Sequence, residues 1–175
     1  MTASLLLAHG ASGTAASMRP HVDGLRARGV DATAIDLPRG SADRALPVYA
    51  RQLAHAPRPT VIGGHSFGGR VASLLAADDG VEVAGLVLLS YPLHRPGHPA
   101  DLRVEHWPRI RCPVLLLSGE SDPFARVELL RTAVDLLADP RLVTYPGVGH
   151  GLAPVLDSAL DEVAAFVTTL PATPR

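Results

Sequence analysis

The chain contains no lysine and no asparagine, and all 16 of its basic residues are arginine. Without lysine there can be no Walker A phosphate loop, no Schiff-base lysine for a pyridoxal cofactor and no kinase-type catalytic lysine. The single cysteine, Cys112, excludes an intramolecular disulfide and any all-cysteine metal site. It suits a reducing compartment, and the cytoplasm is the expected location. An excess of charge of either sign is also missing. A formal net charge of -1 with 19% charged residues fits neither the basic face of a nucleic-acid binder nor a disordered chain. Long apolar runs are absent as well. The first run, Ser4 to Ala8, has no basic flank and is broken by His9-Gly10, so it reads as a buried strand and not as a signal peptide or membrane span. The expected partner is a small molecule, with no nucleic acid and no membrane.

What is present is an apolar, regularly patterned chain. With 175 residues and 47% hydrophobic content, one domain over residues 1–175 is expected, large enough to bury roughly 70% of its extended surface. Short apolar runs alternate with segments repeating at i, i+3 and i+4, which predicts an α/β fold: about six mostly parallel strands with helices on both faces. The predicted strands are Ser4 to Ala8, Ala32 to Leu37, Thr60 to Gly63, Gly85 to Leu89, Cys112 to Ser118 and Arg141 to Tyr145. Helices are predicted through Met18 to Leu25, Ala42 to His55, Val71 to Leu75, Val127 to Leu137 and Leu156 to Leu170. Residues 91–111 break the pattern with four prolines, three histidines and the only tryptophan, and are expected to form an irregular loop or short lid. Residues 171–175 read as a tail.

Between the third strand and its helix lies Gly64-His65-Ser66-Phe67-Gly68, a G-x-S-x-G pattern. A strand reversing sharply into a helix holds the central serine in a strained conformation, and small neighbours relieve the crowding. Taken alone, the five residues could equally be a tight turn with no chemistry. Three further loops fall at the same ends of the predicted strands: His9 to Gly13, Glu120 to Asp122 and Gly149 to Gly151. In an open parallel sheet, ligands bind beyond those carboxyl ends. The four loops together supply a backbone donor, a nucleophile, a carboxylate and an imidazole, which are the parts of an acyl-transfer site. No pair of histidines at helical spacing and no His/Cys/Asp cluster occurs, so neither a metal nor a cofactor is expected.

In this order of serine, acid and histidine the chain resembles the α/β-hydrolase superfamily, and the match covers nearly its whole length. It is most similar to compact, cap-poor members such as dienelactone hydrolases and small carboxylesterases. The usual eight-stranded sheet is trimmed at its beginning. Residues 91–111 are too few for a helical cap domain, and a shallow, open site is expected. Dienelactone hydrolases carry cysteine at the nucleophile position where this chain has Ser66, which points to esters. The resemblance implies Ser66 as nucleophile, His150 as general base and Asp122 as the acid, with Glu120 the local rival of Asp122. It also implies an oxyanion hole from the backbone N–H groups of Ala11 and Phe67, each donor worth on the order of 3 kcal/mol in the transition state.

Serine needs an imidazole to take its proton, and the imidazole needs a carboxylate to fix its tautomer. Activity is therefore expected to rise with pH as the imidazole deprotonates. The other histidines are assigned no chemistry: His9 shapes its loop, His65 packs beside the nucleophile, and His94, His98 and His106 are solvated loop residues. Tyr91, Leu93 and Trp107 are candidates for an acyl pocket or a partner surface. The expected function is cleavage of a small carboxylic ester or thioester through an acyl-Ser66 intermediate. Acyl transfer or perhydrolysis by the same residues, and a non-catalytic interaction module on this fold, are the alternatives.

Overall fold

The computed structural model describes residues 3–171. The proposed tail lies outside the described residues beyond Pro171. Six strands, β1 (Ser4–Ala8), β2 (Asp31–Ile35), β3 (Thr60–His65), β4 (Gly85–Leu89), β5 (Val114–Gly119) and β6 (Pro140–Tyr145), form one sheet in the order β2-β1-β3-β4-β5-β6. Every pairing is parallel. Five α-helices join or follow them: α1 (Arg19–Ala27), α2 (Ala42–Ala54), α3 (Phe67–Ala76), α4 (Val127–Ala133) and α5 (Leu156–Thr169).

Successive strand residues point to opposite faces, so a strand covered on both sides must be apolar throughout. β1 shows this directly. Leu6 and Ala8 join one core with Ile62, Leu88 and Leu116 beneath α2, α3 and α4, while Leu5 and Leu7 join the other with Val61, Leu115 and Leu117 beneath α1 and α5. Helix ends follow local chemistry. α1 carries Pro20 in its first turn and gives way to Gly29 at φ 79°, a left-handed position that glycine takes without steric cost.

The chain starts on β1, adds β2 to one side, then crosses β1 and adds β3 to β6 outward on the other. The direction of growth reverses between β1 and β3. Loops leaving these two strands diverge to opposite faces, which opens a crevice at their carboxyl ends.

Residues 90–113, joining β4 to β5, contain only a 3₁₀ turn at Trp107–Arg109. This segment is nevertheless packed down. Tyr91, Leu93 and Trp107 are 1%, 0% and 0% exposed, and Ile110 is buried with them. Burial of such side chains is worth about 1.5–3 kcal/mol each. The expectation that Tyr91, Leu93 and Trp107 line a pocket or partner surface is therefore corrected: their apolar area is consumed in the core that covers α3. The expectation of solvated histidines is corrected for two of three. His94 and His106 are buried, His94 accepting the Arg126 N–H at 3.1 Å and His106 Nε2 lying 2.8 Å from Ser73 Oγ. His98 is exposed. The segment is a strap stitched to both α3 and the loop after β5.

Candidate active site

The crevice holds the serine turn. Ser66 adopts φ 49°, ψ -113°, a region that side chains rarely enter. Backbone on both sides enforces it: the Ser66 N–H donates to Leu89 O at 2.8 Å, and its carbonyl accepts the Arg70 N–H at 3.0 Å. The flanking glycines are needed for close approach. A Cβ on Gly64 would stand 2.5 Å from Ala8 O, and one on Gly68 would meet Ala8 O at 2.5 Å and His9 O at 2.6 Å. α3 thus begins in direct backbone contact with the end of β1.

Two other loops reach the serine. Gly119, at the end of β5, packs its Cα against the chain after β6, where a Cβ would lie 2.1 Å from Val148 O. The Ser121 N–H then donates to Val148 O at 2.9 Å. These contacts lock the acid-bearing loop to the histidine-bearing loop. As a result His150 Nδ1 lies 2.8 Å and 3.0 Å from the two Asp122 carboxylate oxygens, and His150 Nε2 lies 2.8 Å from Ser66 Oγ. With Nδ1–H donated to the buried carboxylate, Nε2 is left as the acceptor for the serine hydroxyl. Asp122 also accepts the Phe124 N–H at 2.8 Å, so the buried carboxylate has a second donor. Glu120 points elsewhere, to Arg131 at 2.9 Å and the Thr144 hydroxyl at 2.7 Å.

Two further contacts hold His150. The Phe124 ring lies 4.3 Å from the His150 ring, and His65 donates from Nε2 to the His150 carbonyl at 3.2 Å. Burial pushes the His65 pKa below its ordinary value, which keeps the ring neutral and its tautomer fixed by that bond. The contact was not legible in the sequence beyond the adjacency of His65 to Ser66.

The loop after β1 is shaped by side chains. His9 accepts the Leu37 N–H at Nε2 (3.0 Å) and donates from Nδ1 to Gly10 O (2.7 Å), while Asp36 accepts the Ala15 N–H at 2.6 Å. Gly10 faces His65, so this loop abuts the serine turn. Neither the Ala11 nor the Phe67 N–H donates to an acceptor among the described residues. Among those residues, too, no group of three or more His, Cys, Asp or Glu side chains is arranged to hold a metal ion. A concavity of about 1030 Å³ opens at the opposite end of the sheet, between Val83, Arg111, Cys112 and Asp139, and contains none of the residues around Ser66. Burial pushes the Cys112 thiol there up to about 12, which leaves it protonated and unreactive.

The arrangement can be set beside known proteins. A family model described as an alpha/beta hydrolase domain matches residues 1–169. Among solved structures, a monoacylglycerol lipase from Paleococcus ferrophilus is 15% identical and superposes with a TM-score of 0.77 over 92% of this chain and 93% of that one. Est1E from Butyrivibrio proteoclasticus, solved with ferulic acid bound, is 18% identical with a TM-score of 0.76, covering 94% and 89%. A pyrethroid hydrolase from Sphingobium faniae is 18% identical with a TM-score of 0.74, covering 97% and 98%. At these identities the structural likeness is one of fold. The match along the sequence goes further: this chain belongs to the alpha/beta hydrolase family.

Proposed function

We propose that the protein is a cofactor-free serine hydrolase acting on a small carboxylic ester or thioester. The observation that carries this reading is the hydrogen-bonded chain from Ser66 Oγ through His150 to Asp122. In the first half-reaction Ser66 Oγ attacks the acyl carbon while His150 Nε2 takes its proton. The tetrahedral oxyanion is met by the Phe67 and Ala11 N–H groups. Collapse breaks the bond to the leaving alcohol or thiol, which receives the proton from His150. In the second half, water gives a proton to His150 and attacks the acyl-Ser66, and Ser66 leaves with that proton as the acid product forms. Asp122 stays ionised throughout and stabilises the transient imidazolium.

Two features support the oxyanion assignment. Among the described residues both N–H groups are free of internal acceptors, and Phe67 opens α3, where the helix dipole adds positive potential. The relatives named above, a lipase and a pyrethroid hydrolase, are hydrolases by name, in keeping with this reading. No helix among the described residues is long and apolar enough to cross a membrane. We assign the enzyme to the cytoplasm, where its lone thiol stays reduced. The test is labelling by a fluorophosphonate probe: wild type becomes labelled and releases acid from short-chain esters, whereas Ser66→Ala does neither. Folded wild type that resists the probe overturns the proposal.

A further inference from the structure

Arg70 lies one helical turn beyond Ser66, its N–H bonded to the Ser66 carbonyl at 3.0 Å. Side chains on a helix lean toward its amino terminus, so the Arg70 stem leans back toward the serine turn. The side chain is half-buried, its Nε is wholly buried without an acceptor, and the guanidinium forms neither an ion pair nor a hydrogen bond among the described residues. A guanidinium removed from water is normally paired, since desolvating an unpaired charge is costly. Elsewhere in this protein the rule holds. Arg28, also half-buried, meets Asp161 at 2.7 Å and Asp157 at 3.3 Å.

Arg70 is not alone. Arg103, on the strap, is half-buried, and its side chain likewise has no ion pair or hydrogen bond among the described residues. The Tyr91 hydroxyl fixes the strap there by donating to Arg103 O at 2.6 Å, and the Ser73–His106 contact fixes it one turn below Arg70. Burial and then the charges of Arg70 and Arg95 push the Arg103 guanidinium below its ordinary range. Arg95 faces Asp101 at 3.9 Å, and Glu105, exposed on the same strap, pairs with neither Arg70 nor Arg103. Two like charges close enough to perturb one another thus sit on supports fixed by the strap and α3, without a counter-ion among the described residues, and one of them, Arg70, stands a single helical turn from Ser66.

We infer that Arg70 and Arg103 bind a carboxylate of the substrate, so that the enzyme selects esters carrying a negative charge in the acyl or the alcohol part. The inference rests on the hydrolase reading above. The carboxylate pairs with the terminal guanidinium nitrogens, which meet no acceptor among the described residues, and the amino end of α3 adds to the attraction.

The experiment compares kcat/KM for two matched pairs: monoethyl succinate against ethyl pentanoate, with the charge on the acyl side, and 4-acetoxybenzoate against phenyl acetate, with it on the alcohol side. A charge-assisted pair predicts a preference on the order of 10- to 100-fold for the anionic member of at least one pair. That preference shrinks as salt is raised. In Arg70→Gln and Arg103→Gln the anionic-to-neutral ratio falls toward one, and Arg70→Lys recovers part of it. Fluorophosphonate labelling of Ser66 reports that each variant is folded and its nucleophile active. Wild type that is labelled but cleaves both members of each pair equally refutes the inference and leaves the hydrolase reading standing. Absence of labelling removes both.

Discussion

Substituting Gly68 by alanine sets two effects of opposite sign against each other. Gly68 is the second residue of α3, and in an open helix alanine would be favoured over glycine by about 1 kcal/mol. Here the new Cβ would stand 2.5 Å from Ala8 O, 2.6 Å from Ala8 C and 2.6 Å from His9 O, against the 3.4 Å at which ordinary contact begins. All three atoms are backbone, so no rotamer relieves them. α3 and β1 must separate by most of an ångström. Overpacking costs roughly 1–3 kcal/mol, and a clash with backbone alone belongs at the upper end, which leaves a net loss of about 2 kcal/mol. The same displacement carries Ser66 away from the loop after β1, and a misplacement of that size at a reacting centre lowers rates about 100-fold. Urea unfolding followed by far-UV circular dichroism reads the first effect, and the rate of fluorophosphonate labelling reads the second. Gly149→Ala is the stability control, since its Cβ would meet nothing within 4 Å. If Gly68→Ala is as stable as wild type and labels as fast, the contact does not position the serine.

Other outcomes follow from single contacts. His65→Ala removes the donor to the His150 carbonyl, so kcat falls about tenfold with KM little changed, and His65→Gln recovers part of the loss. Equal loss in both variants would show that the bond is not what matters. Tyr49→Phe strips the hydroxyl that accepts the Gly63 N–H at 2.9 Å between β1 and β3, and the orphaned donor lowers stability by about 1–3 kcal/mol. An unchanged urea midpoint would contradict that. Burial, reinforced by Arg70, holds His106 at about 4, and burial, reinforced by His65, holds His21 at about 4. The unfolded chain protonates both near 6.5 while the folded chain does not. Stability is therefore full above about pH 6.5 and falls as the pH drops toward 4. The urea midpoint should be lower at pH 4.5 than at pH 7.5, with a shallower decline in His106→Gln; a flat wild-type profile would exclude the mechanism.

Strands and helices were legible where burial imposes a period. β1 and β4 fall on the predicted residues, and the ends of the others differ by two residues or fewer because the runs that define them grade into turns. The loops that carry the candidate nucleophile, acid and base were legible for a different reason: glycines and a proline mark them and parallel topology gathers them at one end, while the choice of Asp122 over Glu120 came from the family resemblance. The strap was not legible. Its order comes from His106 meeting Ser73, 33 residues earlier, and His94 meeting Arg126, 32 residues later, and such contacts leave no local pattern. Arg70 was hidden likewise, since an arginine on a helix reads as a solvated face until its lack of a partner can be seen.

The hydrogen bond from Ser66 to His150 closes a loop of 84 residues, and its far anchor follows β6. That strand is the sheet's last, bonded on one side only, and with β2 at the other edge it is one of the two strands that carry exposed residues. Edge elements open more readily than central ones. On the proposed mechanism, detachment of β6 would carry the imidazole away while the elbow between β3 and α3 persisted, leaving an unactivated serine in a largely native molecule. Reactivity is then a gauge of whether the periphery is closed. In a urea titration it should vanish before the circular dichroism signal of the central strands begins to move.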